Sequence, residues 1–350
     1  MAHILVVNPG STSTKMALFA DEHPECSEVL RHPADVLSKF PHVWDQYPMR
    51  LEAVRTWRAT HPGPLSAAVG MGGLLRPLPG GTYRVNERML ADARANRQGE
   101  HPSNLGCAIA DAVAQEAGCD AFVVDPVSVD EFEALARYSG YPKIQRSALS
   151  HALNLHAAAR RAATDLGIPL EASRFVIAHL GGGISVAPVR GGRIIDVNDA
   201  SSDGPFSPER TGGLPLQQFI TLCRSGEYSE EELRSIVRGK GGLVAYLGTN
   251  SATEVEARIA AGDSKAAEIY EAMAYQIAKE IGAMVAVLAG DVGAIVLTGG
   301  LAGSTMLTGW IAERVRRFAP VRVYPGEDEM RSLALGALRV LRGEDRALEY

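Results

Sequence analysis

Asn8, Pro9, Gly10, Ser11, Thr12, Ser13, Thr14 and Lys15 place four consecutive hydroxyls, a glycine and a lysine in one short stretch. Hydroxyls and backbone N–H groups beside an ammonium suit a phosphate, whose oxygens accept several hydrogen bonds at once. A second stretch, His179, Leu180, Gly181, Gly182 and Gly183, offers bare backbone instead. A glycine turn alone is common in hairpins, but two such stretches facing one cleft would grip a polyphosphate. A third glycine run, Gly299, Gly300, Leu301, Ala302 and Gly303, is a place where a nucleoside could lie against backbone. Three further groups could handle charge. Arg210 stands in the dense loop 204–213, where a guanidinium suits bidentate pairing with carboxylate or phosphate unless it is simply solvated. Asp125 follows the apolar run 122–124; ligands of open α/β sheets bind beyond the carboxyl ends of strands, although a carboxylate there equally caps the turn before Pro126. His151 opens a helical stretch, whose dipole favours a neutral imidazole; a purely structural histidine is the alternative.

Each of these groups needs an element to hold it. Apolar runs at 4–7 and 16–19 flank the first stretch and make it the turn of a β-hairpin. Runs at 175–178 and 184–189 do the same for the second, followed by a turn at Gly191 and Gly192 and a strand over 193–197, so the chain repeats one theme and reads as a duplication. Further strands are expected at 67–69, 122–124, 293–298 and 321–324. Helices are expected at 51–60, 86–97, from the cap around 101–104 up to Gly118, and at 151–166, 230–237, 266–289 and about 331–341. Residues 21–48, rich in His, Pro and Asp, predict loops around short elements. Gly70, Gly72, Gly73, Gly80 and Gly81 either form turns or let backbone approach a ligand. The polar stretch 137–150, with Gly140 and Pro142, marks the domain boundary.

The 350 residues suggest two domains. A net charge of −6 without a Lys/Arg cluster argues against nucleic acid or a membrane surface as partner. Cys26, Cys107, Cys119 and Cys223 form no C-x-x-C pair and no zinc spacing, which points to reduced thiols, with Cys107 and Cys119 in the core, and to a cytoplasmic protein. No signal peptide is expected, and the longest apolar run, 281–290, is too short to span a bilayer.

Taken together, the segments VVNPGSTSTK from Val6, LLRPLPGGTYRVNE from Leu74, VVDPVSVDE from Val123, AHLGGGISV from Ala178, GPFSPERTGGLP from Gly204, GKGGLVAYLGTN from Gly239, LTGGLAGS from Leu297 and YPGEDEMRSLALGAL from Tyr324 resemble the acetate and butyrate kinase family. That family lies within the actin and sugar-kinase superfamily, and the match is nearest to its butyrate and branched-chain fatty-acid kinases. The resemblance implies an α/β protein with two actin-like, ribonuclease H-like domains around a central cleft. Residues 1–147 plus 332–350 would form one domain and 148–331 the nucleotide-binding other. It implies reversible phosphoryl transfer between ATP and a short carboxylic acid, giving ADP and an acyl phosphate with Mg2+, in a homodimer or larger assembly. By resemblance, Asn8, Ser11, Ser13 and Lys15 handle phosphate and metal, His179, Gly181, Gly182 and Gly183 the nucleotide phosphates, and Gly299 and Gly300 the adenosine. Asp125, His151, Arg210 and Arg76 are the catalytic group, and Glu329 is the magnesium-linked acid, with Asp328 or Glu327 as alternatives.

Two departures bear on the acid-binding side. Met71 stands where butyrate kinases carry an arginine expected to hold the carboxylate, and Arg76 is the substitute the alignment offers. Arg224 competes with Arg210 for the second arginine. Asn250, Ser251 and Thr253 replace an Asp/Arg pattern near the nucleotide. Two other functions stay open: an ATP-binding protein impaired by Met71, and a sugar or sugar-acid kinase using Asp125 as base. Acyl length is not written in any motif, since acids differing by one methylene differ by about 0.8 kcal/mol of burial.

Overall fold

The computed structural model describes residues 1–326 and 328–350. The chain divides into two compact units, Met1–Asp130 with Asp328–Tyr350, and Glu131–Glu327. The division after Asp130 falls earlier than the stretch 137–150. Glu131 already belongs with the second unit, where its carboxylate accepts from Ile194 N (2.7 Å) and meets His156 Nε2 (3.2 Å).

The first unit is built on β1 (His3–Pro9), β2 (Ser13–Ala20), β3 (His23–Arg31), β4 (Ala67–Met71), β5 (Thr82–Arg84) and β6 (Asp120–Val124). With the short strand Leu348–Glu349 they form one sheet in the order Leu348–Glu349, β5, β6, β4, β1, β2, β3. β1 is antiparallel to β2 and parallel to β4. Its run Ile4 to Val7 is apolar without alternation because both faces are covered, and all four side chains are fully buried. β3 corrects the expectation of loops over 21–48. It pairs along the whole of β2, but as an edge strand it is mostly exposed, so its polar sequence carries no hydrophobic signal. The glycines after residue 69 also resolve. A Cβ on Gly70 would lie 2.1 Å from the Gly106 carbonyl oxygen, and one on Gly106 would lie 2.2 Å from that of Met71. These glycines let β4 and the helix Asn104–Ala117 cross backbone to backbone.

The second unit opens with a separate hairpin, β7 (Tyr138–Tyr141) and β8 (Ile144–Gln145). Its main sheet contains β9 (Arg174–Leu180), β10 (Ile184–Arg190), β11 (Arg193–Ile194), β12 (Ala294–Gly299) and β13 (Val321–Pro325), in the order β11, β10, β9, β12, β13. Read from the other edge, β13-β12-β9-β10-β11 has the topology of β6-β4-β1-β2-β3, with an antiparallel meander and then two parallel neighbours. The duplicated theme is therefore a duplicated sheet. Its main covering helix, Ser264–Val287, buries Ile269, Tyr270, Met273, Ile277 and Ile281, the stripe expected of a core-facing helix. Cys107 is buried, which pushes its thiol up to about 12, Cys119 is half-buried, and all four cysteines are free. Among the described residues no helix is long and apolar enough to cross a membrane.

Candidate active site

In the first unit the β1–β2 register sets Asn8 opposite Lys15, so the two share a face, and strand alternation adds Ser13 to it. Thr14 points the other way. It is fully buried and its hydroxyl bonds His32 Nε2 at 2.8 Å, whereas Ser11 and Thr12 are exposed and Ser13 is half-buried. The turn is closed by Gly10 N donating to Ser13 O (2.8 Å). Asn8 Nδ2 donates to Glu329 Oε2 at 2.8 Å, on the first turn of the helix Glu329–Leu341. Asp328 is used differently: its Oδ1 caps that helix by accepting from Arg331 N (3.0 Å). Glu327 lies outside the described residues. Among the described residues no group of three or more His, Cys, Asp or Glu could hold a metal by itself. Asn8 and Glu329 nevertheless fit Mg2+, which commonly takes one or two protein oxygens and fills the rest of its shell with phosphate oxygens and waters.

Asp125, at the end of β6, is buried and has φ +40°, a left-handed conformation that few non-glycine residues adopt. Its Oδ1 accepts from Gly81 N (2.7 Å), while its own N–H donates to Gly81 O (2.9 Å). The carboxylate thus latches the Gly80–Gly81 turn to the strand end. Arg76 forms a two-pronged pair with the buried Asp92, Nε–Oδ2 2.5 Å and Nη2–Oδ1 3.0 Å. Arg97 Nε meets the same carboxylate at 2.6 Å and Tyr350 Oη donates to it at 3.1 Å. Arg76, Tyr350 and Arg97 together hold the Asp92 carboxyl below its usual range. Met71 is half-buried at the end of β4, paired with Val124.

In the second unit, His179 is the next-to-last residue of β9, and β10 returns with Ser185 directly opposite it. His151, the residue before the helix Ala152–Leu166, stacks on His179 with ring centroids 4.1 Å apart and an interplanar angle of 22°. Its Nδ1 lies 2.9 Å from Ser185 Oγ. Desolvation, then His179 and Arg210, keep the His151 imidazole well below its ordinary value and therefore neutral. Arg210 lies against the glycine turn: a Cβ on Gly183 would be 2.1 Å from its Nη1. Nη1 donates to Ala200 O at 2.5 Å. Burial and Arg238 lower the Arg210 pKa, and Glu209 and Asp199 offset part of that. Arg224 ends the helix Leu216–Arg224 as an exposed residue. Of the two, Arg210 is the one that lies beside the glycine turn, with His151 in its field.

Supporting residues complete the turn. Ser207 Oγ donates to Gly182 O (2.6 Å), and Asn198 fixes β10 by accepting from Val186 N (2.7 Å) and donating to Ile184 O (2.9 Å). Gly299 has φ +94°, and its Cβ would meet Leu180 backbone at 2.4 Å, so it seals β12 against β9. A Cβ on Gly300 would meet nothing within 4 Å. Of that pair, only Gly300 is exposed.

Sequence reasoning missed Ser185, Asn198 and Arg50. Ser185 was available from the hairpin register about Gly181–Gly183. Arg50 sits on the buried stripe Arg50, Leu51, Val54, Trp57 of the helix Tyr47–Ala59, and its signal was a charge on an apolar face. Asn198 lies in a loop and gave no signal.

A repeated sheet of this strand order, each copy carrying a turn between its first two strands, is the duplicated α/β fold of the actin-like class. The crystal structure of Porphyromonas gingivalis acetate kinase shares this fold, with a TM-score of 0.79 at 17% identity, over 97% of this chain and 100% of that one. The chain belongs to the acetokinase family, whose profile matches residues 147–313. It is 51% identical over 353 residues, 100% of both chains, to a protein named "Probable butyrate kinase 2" from Caldanaerobacter subterraneus subsp. tengcongensis. It is 46% identical over 354 residues, 99% of both chains, to butyrate kinase 2 of Clostridium acetobutylicum.

Proposed function

We propose that this protein uses ATP to phosphorylate a short-chain carboxylic acid of the butyrate class, straight or branched, yielding acyl phosphate and ADP reversibly. A carboxylate oxygen attacks the γ-phosphorus, the bond from that phosphorus to the β,γ-bridging oxygen breaks, and no proton need move. Such a reaction asks for alignment and for charge to be offset, not for a strong base. The observation that carries the reading is the group formed by neutral His151, by His179 and by cationic Arg210 at the Gly181–Gly183 turn, which offers ring nitrogens and a guanidinium beside bare backbone. Ser11, Ser13 and Lys15 receive phosphate in the first unit, while the glycine turn receives nucleotide phosphates in the second. Asn8 and Glu329 would hold Mg2+, which supplies charge neutralisation on the phosphates. Asp125 orients the loop at Gly81.

The reading is tested by incubating the protein with ATP, magnesium and butyrate or isobutyrate in hydroxylamine. Acyl hydroxamate is expected, and none from any short acid would overturn it. A second reading, an ATP-binding protein with impaired catalysis, draws on Met71 and on the engagement of Arg76 by Asp92. It expects ATP binding in calorimetry without turnover, and restored turnover in Met71→Arg. Under the kinase reading, Arg76→Met lowers the melting temperature while KM for butyrate stays unchanged. A large rise in KM would instead return Arg76 to the acid site.

A further inference from the structure

Behind the phosphate hairpin lies Arg50, whose side chain is fully buried. Its guanidinium donates to the turn itself: Nη1 to Ser13 O (2.8 Å) and Thr14 Oγ1 (3.1 Å), and Nη2 to Ser11 O (3.4 Å). The remaining prongs, Nε and Nη2, go to Gln46 Oε1 at 3.1 and 2.9 Å. Every one of these acceptors is neutral. His32, which shares Thr14 Oγ1, is kept below its ordinary pKa by burial and by Arg50 and stays neutral. Among the described residues no carboxylate pairs with Arg50. Burial lowers its own pKa to about 10, which still leaves it protonated at neutral pH.

A buried cation without a counter-ion is costly, and a cheaper neutral side chain could have packed a hairpin. Here the cation is hydrogen-bonded to the carbonyls of Ser11 and Ser13, two residues the kinase reading assigns to phosphate. Drawing those carbonyls inward favours a turn whose N–H and hydroxyl donors face the other way.

We propose that Arg50 is a positioning residue for phosphate capture, shaping the Ser11–Thr14 turn from behind and supplying a positive field that the incoming phosphate neutralises. It touches no substrate. The proposal rests on the kinase reading of the hairpin, and the controls separate the two.

Gln46→Glu is the sharpest test. It is isosteric, leaves the guanidinium fork in place and gives it a carboxylate partner. The proposal expects the unliganded protein to melt at higher temperature while the KM for ATP rises about tenfold, the scale of one charge cancelled at close range in a partly screened site, with kcat little changed. A merely structural Arg50 would give the stabilisation with KM unchanged, and that result overturns the proposal. Arg50→Gln and Arg50→Lys form the second arm, read by the melting shift that inorganic phosphate induces. The shift should vanish in Arg50→Gln and partly return in Arg50→Lys. Equal shifts in both would count against the charge. Lys15→Ala is the control for the parent reading: if it leaves phosphate and ATP binding intact, the hairpin is not the phosphate site and the parent reading fails. If Lys15→Ala abolishes binding while Gln46→Glu does not weaken it, only the role of Arg50 fails.

Discussion

In the first unit the turn between β1 and β2 is backed by Arg50, fully buried and bonded to the turn's carbonyls. In the second, the turn between β9 and β10 is flanked by Arg210, half-buried and lying in the space a Cβ on Gly183 would take. Both turns sit at the same place in sheets of the same strand order, and each returning strand gives a hydroxyl to a neutral histidine: Thr14 to His32 and Ser185 to His151. What differs is where the cation stands. A hydroxyl-rich turn contacts its ligand through side chains and can be charged from behind. A glycine turn has none, so the cation lies alongside it and can itself reach the reacting group. On the proposed reading, the first arrangement serves binding and the second the transition state.

Arg210→Ala gives the largest break in that contrast. Removing a guanidinium that offsets transition-state charge should lower kcat by about 10²–10³-fold, as loss of a preorganised donor does elsewhere, with ATP affinity little changed. Gly183→Ala should reproduce much of this loss, because its methyl group displaces the guanidinium. Steady-state kinetics in the hydroxamate assay check both. A rise in KM at constant kcat would place Arg210 with Arg50 as a binding cation and dissolve the difference between the turns.

The two hairpins were legible because they are local: a few residues between apolar runs carry both the fold signal and the chemistry. Glu230–Val237 was equally plain, with Ser229 and Glu232 forming a capping box visible as S-x-x-E. What did not show was non-local. β3 is polar because it is an edge strand, and nothing within 23–31 says that β2 lies beside it. Gly70 and Gly106 are far apart in the chain, and their shared role appears only once a strand and a helix touch. Arg76 carried the pattern of a ligand arginine, but its partner Asp92 lies on a different element and the contact with Tyr350 comes from the far end of the chain. Asp125 is the middle case, since its position at a strand end was readable while its bonds to Gly81 were not.

Backbone close behind the second turn sharpens the comparison further. Gly299→Ala places a methyl group in Leu180 backbone and forces a non-glycine residue to φ +94°. It should cost about 2–4 kcal/mol of stability. Gly300→Ala, with open space around its Cβ, should stay within about 1 kcal/mol by the same measure. Chemical denaturation of the pair decides it. If Gly300→Ala proved the more damaging, the sealing of β12 against β9 would be misassigned.

The two histidines give the smallest and most direct comparison. Both imidazoles are shifted below the ordinary value of 6.5 in the folded chain, His32 by burial and Arg50, His151 further by desolvation, His179 and Arg210. Below pH 6.5 the unfolded chain therefore binds protons that the folded chain refuses. Stability from each histidine is complete above that value and is lost as pH falls toward the folded pKa, by up to about 1.4 kcal/mol per pH unit for each ring. His151→Gln should flatten the slope of unfolding free energy against pH below 6.5 more than His32→Gln does, because the stronger shift belongs to His151. Urea unfolding across that range measures the slopes free of any constant loss from the substitution. Equal flattening would mean that burial and neighbouring charge together press equally on the two histidines, and the distinction between the two hairpins would then lie in Gly183 and Arg210 alone.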